Sequence, residues 1–366
     1  MLRTKIIPHT LQFTFEAGTS RGVLREKTSY FIRLETPDGT VGYGECGPLK
    51  KLSIDDVPDL PNRLEQLVQP LSHCAPPRNL LEMNSLVHAL VPENLPSVRF
   101  ALETALLDVL HGGKQQILPN SWATFTPQQG KALPINGLIW MGSEAFMQQQ
   151  ITRKLEDGFS CIKMKIGAID FETEYNLLKN IRQQFSAETI TLRVDANGAF
   201  QPHEALDKLK RLADLDIHSI EQPIAAGQWE AMHRLCRESP LPIALDEELI
   251  GVYGVKQEEL LQTIEPQYII LKPTLLGGLQ ASAHWIAKAE QKNIGWWMTS
   301  ALESNIGLNA IGQFTATYGV TRPQGLGTGQ LYHNNIPSPL TVASGFIQYH
   351  PDQPWEIAGT IETTDK

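Results

Sequence analysis

Between residues 135 and 326 the chain repeats one texture, and no other feature narrows its fold so far. Short apolar, strand-like runs alternate with amphipathic segments, as in parallel β/α units. One early residue from each run (Ile135, Ile162, Leu192, Ser219, Ile243, Ile269, Trp296 and Leu326) gives spacings of 27, 30, 27, 24, 26, 27 and 30. Seven intervals over 191 residues average about 27, which suits a strand, a three-turn helix and two short loops. Eight strands close a barrel. An open doubly wound sheet is the alternative, but no GxGxxG follows an early strand here.

The first 115 or so residues read differently. Leu11, Phe13 and Phe15 alternate, as do Tyr30, Ile32 and Leu34, on either side of the stretch GTSRGVLREK, so a long-looped hairpin is expected. Val98, Leu102, Leu106, Val109 and Leu110 then fall at helical spacing after Pro96-Ser97, and Gly112-Gly113 closes the segment. This is an α+β pattern. Beyond about Ile336 one strand-like run remains, Phe346-Ile347-Gln348-Tyr349, in a tail expected to pack back on the first domain.

Composition narrows the class of partner. Hydrophobic residues make up 42% of the 366, which excludes a disordered chain. Thirty-one basic against 40 acidic residues give a net charge of −9 with no basic block, which argues against nucleic acid and for a small molecule. The four cysteines, Cys46, Cys74, Cys161 and Cys236, show no metal spacing and read as reduced thiols. The start MLRTKIIPHT lacks an apolar leader core, and no run of 18 apolar residues occurs, so a cytoplasmic protein without membrane insertion is expected.

Active sites of barrels lie at the carboxyl ends of the strands. The second run reads Cys161-Ile162-Lys163-Met164-Lys165, and residues two apart share a strand face, so two ammonium groups point the same way. The third ends Arg193-Val194-Asp195-Ala196-Asn197, the fourth Ser219-Ile220-Glu221-Gln222-Pro223, the fifth Ala244-Leu245-Asp246-Glu247. The sixth, Ile269-Ile270-Leu271-Lys272-Pro273, sets a third lysine across the mouth. Alone, Asp195 to Gly198 would be a turn, Asp246 an N-cap and Lys163/Lys165 a solvated edge. Barrel strands have no edge, and all five features fall on consecutive units.

Three carboxylates at neighbouring strand ends make an oxygen-only site, suited to Mg²⁺, with Mn²⁺ as a substitute, rather than zinc. A lysine beside another ammonium and a dication has its charged form disfavoured and can act as a base. Proton abstraction next to a carboxylate is the natural task, since a dication stabilises the charge that develops.

These residues resemble the enolase superfamily, in particular its muconate-lactonizing-enzyme-like subgroup, over nearly the whole chain; the use of a Lys or His base with Mg²⁺ is a general property of such sites. The resemblance implies an α/β fold: a modified TIM barrel, (β/α)₇β, over about 130–330, an N-terminal α+β capping domain over about 1–115, and a C-terminal segment, 331–366, returning to the cap. It implies Asp195, Glu221 and Asp246 as metal ligands, with Glu247 supporting them. It assigns Lys165 as the base, Lys163 as its neighbour and Lys272 as the lysine opposite.

Three stretches are similar to the family of o-succinylbenzoate synthases: Thr19 to Leu24, Thr299 to Gly307 and Gly325 to Leu331. That family implies a lyase of menaquinone and phylloquinone synthesis, which dehydrates 2-succinyl-6-hydroxy-2,4-cyclohexadiene-1-carboxylate to 2-succinylbenzoate through a metal-stabilised ene-diolate. Arg21, Asn197, Ser300, Glu303, Ser304 and Gly327 are the expected substrate contacts. Ser300, Glu303 and Ser304 would equally serve to cap the next helix. Dipeptide epimerases and N-succinylamino acid racemases carry the same frame and are the alternative. A non-catalytic metabolite-binding barrel is the alternative of another class, opposed by the presence of all three lysines and three carboxylates. Gly18-Thr19-Ser20-Arg21-Gly22 matches the serine-hydrolase pattern G-x-S-x-G, but a hairpin is the wrong setting for it.

Overall fold

The computed structural model describes residues 1–19, 22–119 and 132–362. Arg21 lies outside the described residues.

The N-terminal sheet is an antiparallel meander of β1 (Arg3–Thr19), β2 (Gly22–Glu35) and β3 (Val41–Cys46). The expected long loop is shorter than its composition suggests. Ala17, Gly18 and Thr19 pair with Leu24, Val23 and Gly22, beyond a register shift after Gln12, so both strands run on into the glycine-rich stretch. Pairing across the hairpin overrides the turn propensity of Gly18 and Gly22, and β-branched Thr19 itself suits a strand. Helices α1 (Leu60–Val68), α2 (Leu80–Leu90) and α3 (Pro96–Leu110) cover the sheet. Pro96 opens α3, where its missing N–H costs nothing, and the Asp55 carboxylate accepts from Ser97 N at 2.7 Å and Ser97 Oγ at 2.6 Å.

Nearly every side chain of α3 is buried, because the helix lies between the sheet and the barrel. Its Glu103 carboxylate accepts from Leu279 N at 2.6 Å and Gln280 N at 3.0 Å, so the first domain supplies an N-terminal cap to a barrel helix.

After β4 (Leu133–Pro134) the barrel follows in order: β5 (Gly137–Ile139), α4 (Glu144–Glu156), β6 (Cys161–Lys165), α5 (Phe171–Gln184), β7 (Thr191–Asp195), α6 (Pro202–Ala213), β8 (Ser219–Glu221), α7 (Trp229–Glu238) and β9 (Ile243–Leu245). Helix α8 (Val255–Ile264), β10 (Tyr268–Leu271), the short α9 (Pro273–Leu276), α10 (Leu279–Gln291), β11 (Gly295–Met298) and α11 (Asn305–Ala316) complete it. Strands β5 to β11 form one parallel seven-stranded sheet in chain order. The eighth run closes it: Gln324 bridges Ile135, and Gly325 bridges Thr299, both in parallel. A Cβ on Gly325 would stand 2.5 Å from Thr299 Oγ1, so this closure needs glycine. The architecture is a (β/α)₇β barrel with an N-terminal capping domain.

Below the strand ends the barrel is filled rather than open. The Arg193 guanidinium stacks on Trp297 at 4.2 Å and donates to Pro323 O at 2.8 Å. In the tail, β12 (Leu340–Ala343) and β13 (Phe346–Tyr349) form a hairpin that pairs with β4. Segments on either side of that hairpin meet the N-terminal sheet: Phe13 bridges Tyr332, and Ile357 and Ile361 of α12 (Ile357–Ile361) pack with Ile7 and Phe31. All four cysteines are free, and among the described residues no helix is long and apolar enough to cross a membrane.

Candidate active site

Strand register assembles the site. Lys165 lies opposite Asp195, and Asp195 opposite Glu221. Glu221 pairs with Ala244, which pairs with Tyr268. Alternate residues share a face, so Asp246 and Lys272 continue the same inward rows two and four residues further on. Five strands thus deliver six charged groups to one end of the barrel.

The six form a compact ion cluster. Lys163 Nζ is 2.6 Å from Glu221 Oε2 and 2.9 Å from Asp195 Oδ2. Lys165 Nζ is 2.8 Å from both Asp195 Oδ2 and Asn197 Oδ1. Lys272 donates to Asp246 Oδ2 and stands 3.9 Å from Glu221 Oε1. Asn197, in the left-handed region at φ 43°, also donates to Glu247 Oε1 at 3.2 Å, which ties Glu247 to the cluster through Asn197.

Burial and neighbouring charge together set how the cluster titrates. Burial works against the Lys163 ammonium, but Asp195 and Glu221 outweigh it and raise its pKa. Lys272 is raised likewise, with burial opposed by Asp246, Glu221 and Glu247. Burial also favours neutral Asp195, yet Lys163, Lys165 and Lys272 hold it well below the usual carboxylate range. Glu221 is raised by burial and by the charges of Asp195 and Asp246. Asp246 is raised by burial and by Glu247, against the pull of Lys272.

Among the described residues no group of three His, Cys, Asp or Glu side chains stands ready to hold a metal ion, since the ammonium groups lie between the carboxylates. The donors nevertheless fit a hard dication. Asp195, Glu221 and Asp246 offer oxygen only, all are at most 2% exposed, and Glu221 Oε1 is buried with no hydrogen-bond partner.

A cavity of about 920 Å³ opens above the cluster, within the range of small-molecule sites. Lys163, Lys165, Asn197 and Lys272 line it, whereas the three carboxylates lie beneath. Ser300 and Gly327 are on its wall. Glu303 and Ser304 are not: Glu303 accepts from Ser300 Oγ at 2.6 Å and from Thr274 Oγ1, and Ser304 turns to Glu45 of the cap. Sequence reasoning passed over three polar groups on the wall. Asn136 Oδ1, Thr299 Oγ1 and Thr328 Oγ1 are buried, line the cavity and have no partner. Asn136 and Thr328 sit beside glycines in the sequence, which reads as turn chemistry and masks the polar atom, whereas Thr299 directly follows the apolar run of β11.

The sequence matches the family described as Enolase C-terminal domain-like over residues 147–354. The chain belongs to the enolase superfamily. A superfamily relative, the o-succinylbenzoate synthase of Desulfotalea psychrophila, is 47% identical over 358 residues, covering 92% of this chain and 96% of that protein. The crystal structure of MenC from the same organism superposes with a TM-score of 0.81 at 43% identity, covering 95% of this chain and 99% of the other. The N-succinylamino acid racemase of Thermus thermophilus is 29% identical over 90% of this chain and 85% of its own length.

Proposed function

We propose that the cavity dehydrates 2-succinyl-6-hydroxy-2,4-cyclohexadiene-1-carboxylate to 2-succinylbenzoate in the cytoplasm, as an enzyme of menaquinone or phylloquinone synthesis. The observation that carries this reading is the 47% identity to an o-succinylbenzoate synthase across almost the full length of both chains. The ion cluster supplies groups able to perform the chemistry.

Asp195, Glu221 and Asp246 would hold a Mg²⁺ ion. When bound, the dication supplies positive charge where negative charge develops on the substrate carboxylate. Lys165, the cavity-lining lysine held by Asp195 and Asn197, takes the proton from the carbon bearing that carboxylate. The same ammonium then returns its proton to the departing hydroxyl as the C–O bond breaks, so water leaves and the lysine ends as it began. One lysine suffices when both groups leave from one face. Lys163 lies against Asp195 and Glu221 and supports Lys165 electrostatically. Lys272 places a cation across the cavity over the dienyl face, a contact worth about 0.5–2 kcal/mol. Ser300, Gly327 and the unpaired Asn136, Thr299 and Thr328 oxygens provide a polar wall for the succinyl arm.

Turnover of the cyclohexadiene by purified protein with Mg²⁺ tests the proposal directly. A second reading, two-base racemisation of N-acylamino acids or dipeptides, is favoured by Lys272 facing the lysine pair and by the likeness to the Thermus racemase. Rapid α-proton exchange and epimerisation in deuterated water, without water loss from the cyclohexadiene, would put that reading in place of the first.

A further inference from the structure

The cavity wall made by Ser300, Ala301 and Leu302 belongs to the loop after β11, and the barrel alone does not set its shape. Leu302 has a φ of 62°, a conformation that a branched side chain avoids unless its surroundings hold it there. Its N–H donates to Ser300 Oγ at 3.0 Å, inside the loop. Its carbonyl accepts from two distant groups: Lys27 Nζ at 2.9 Å and Tyr332 OH at 2.7 Å. Lys27 comes from β2 of the cap, and Tyr332 from the segment after the eighth strand. They are only 7% and 5% exposed.

Two residues further on, Ser304 donates its N–H and its hydroxyl to the buried Glu45 carboxylate at 2.9 and 2.6 Å. Glu45 also accepts from Ser29 Oγ at 2.7 Å and from Gly307 N at 3.1 Å. Lys27 Nζ stands 3.9 Å from Glu45 Oε1. Burying an ammonium is costly unless directed bonds repay it, and a packing role alone would be served by a neutral side chain. Here the short bond of Lys27 falls on the carbonyl of the left-handed residue. Lys27 is not among the residues that line the cavity.

We infer that Lys27 is a positioning residue: through the carbonyl of Leu302 it fixes the wall from Ser300 to Leu302 against which the substrate seats. The cap thereby contributes to substrate binding without this side chain touching the substrate. The kinetic part of the inference rests on the proposed dehydratase reading; the structural part does not.

Two measurements on the full chain test it. Hydrogen exchange at the amides of Leu302 to Ser304 reads the clamp with no substrate present. Lys27→Met keeps the length and apolar stem, and leaves Glu45 with its four donors from Ser29, Ser304 and Gly307. Exchange there should accelerate roughly tenfold or more, while the amides of β6 and β7 stay unchanged. In the dehydration assay KM should rise roughly tenfold with kcat altered much less, since the wall positions substrate and the cluster does the chemistry. Tyr332→Phe, which removes the other donor to the same carbonyl, should raise KM in the same direction, and the double variant should depart from additivity. Lys27→Arg should recover part of the lost affinity.

Unchanged exchange in Lys27→Met would overturn the inference, as would faster exchange with an unaltered KM. A fall in kcat alone, matching a smaller folded fraction, would make Lys27 merely structural and equally overturn it. Wild-type protein inactive on the cyclohexadiene, with the exchange effect still present, would instead remove the dehydratase reading and leave the clamp standing.

Discussion

The charged ends of β6 to β10 and the turn after β11 face one cavity, yet they are held in place by different means. In the first region each charged side chain projects from a strand whose neighbours fix its height: Lys165, Asp195 and Glu221 share a row because the parallel ladder puts them opposite one another. In the second, Ser300 to Ser304 follow the strand, and their geometry depends on Glu45 and Lys27, some 260 and 275 residues earlier in the chain. The first region is rigid through local pairing and the second through contacts between domains. The proposed function accordingly gives chemistry to the ladder and fit to the turn.

The sharpest way to break that assignment is to remove the base. Lys165→Ala should keep the fold, because the lysine is on the cavity side of the cluster and Asp195 retains Lys163. Turnover should fall by about 10³-fold or more, at the upper end of what one acid–base group contributes. Lys163→Ala should leave a trace. Comparable kcat in Lys165→Ala and wild type would move the chemistry elsewhere.

The carboxylates come next. Replacing Asp195, Glu221 or Asp246 by Ala should abolish calorimetrically detectable Mg²⁺ binding, and with it turnover. Stripping wild-type protein with a chelator should silence it reversibly, with Mg²⁺ or Mn²⁺ restoring activity and Zn²⁺ doing so poorly. Retained Mg²⁺ affinity in any of the three variants would sink its assignment as a ligand.

These two regions also explain what a single sequence can disclose. A 27-residue period is written locally, and so is the alternation that puts Lys163 and Lys165, or Arg193 and Asp195, on one face; register then follows from closing the barrel. Along the chain the turn after β11 reads equally as substrate contacts and as a cap for the next helix, and Ser304 does cap α11. Whether Glu303 and Ser304 meet substrate or structure depends on Thr274 and Glu45, whose approach no spacing along the chain reveals. Likewise the glycines of the first hairpin read as loop, because the paired strand that stretches them is visible only in three dimensions. Asn136, Thr299 and Thr328 matter through having no partner, a property of their surroundings rather than of their type.

A third test weakens the turn while sparing the ladder. Glu45→Ala would leave Ser304 N, Gly307 N and Ser29 Oγ without their acceptor at the N-terminus of α11. Several buried donors stripped at once should cost roughly 3–5 kcal/mol, read as a lower denaturation midpoint, and should raise KM more than it lowers kcat. Gly307→Ala crowds the same turn, since its Cβ would stand 2.7 Å from Glu303 Cβ and Cγ and 2.9 Å from Glu45 Oε2. If either variant lowered kcat with KM untouched, the turn would belong with the chemistry and the division would fail.

The smallest effect concerns the base on which the charged ladder stands. His218, just before β8, lies 5.3 Å from Tyr268 ring to ring, and its Nδ1 is 2.9 Å from Ser219 Oγ. Burial, with Arg193 and Arg322 nearby, pulls its pKa down to about 4. An unfolded chain takes up that proton near the ordinary value of about 6.5. Between these values the unfolded state holds more protons than the folded one, so stability falls as pH falls through this window and is unaffected above it. Because the ring is partly exposed, the loss should be limited to roughly 1–2 kcal/mol rather than the full linkage value. His218→Gln removes the titration, so its denaturation midpoint should fall less steeply than that of wild type between about pH 6.5 and 4. Parallel curves for the two proteins would mean that His218 is as freely protonated in the barrel as in the open chain, and that the layer beneath Asp195 and Glu221 is wetter and looser than the stacking of Arg193 on Trp297 implies.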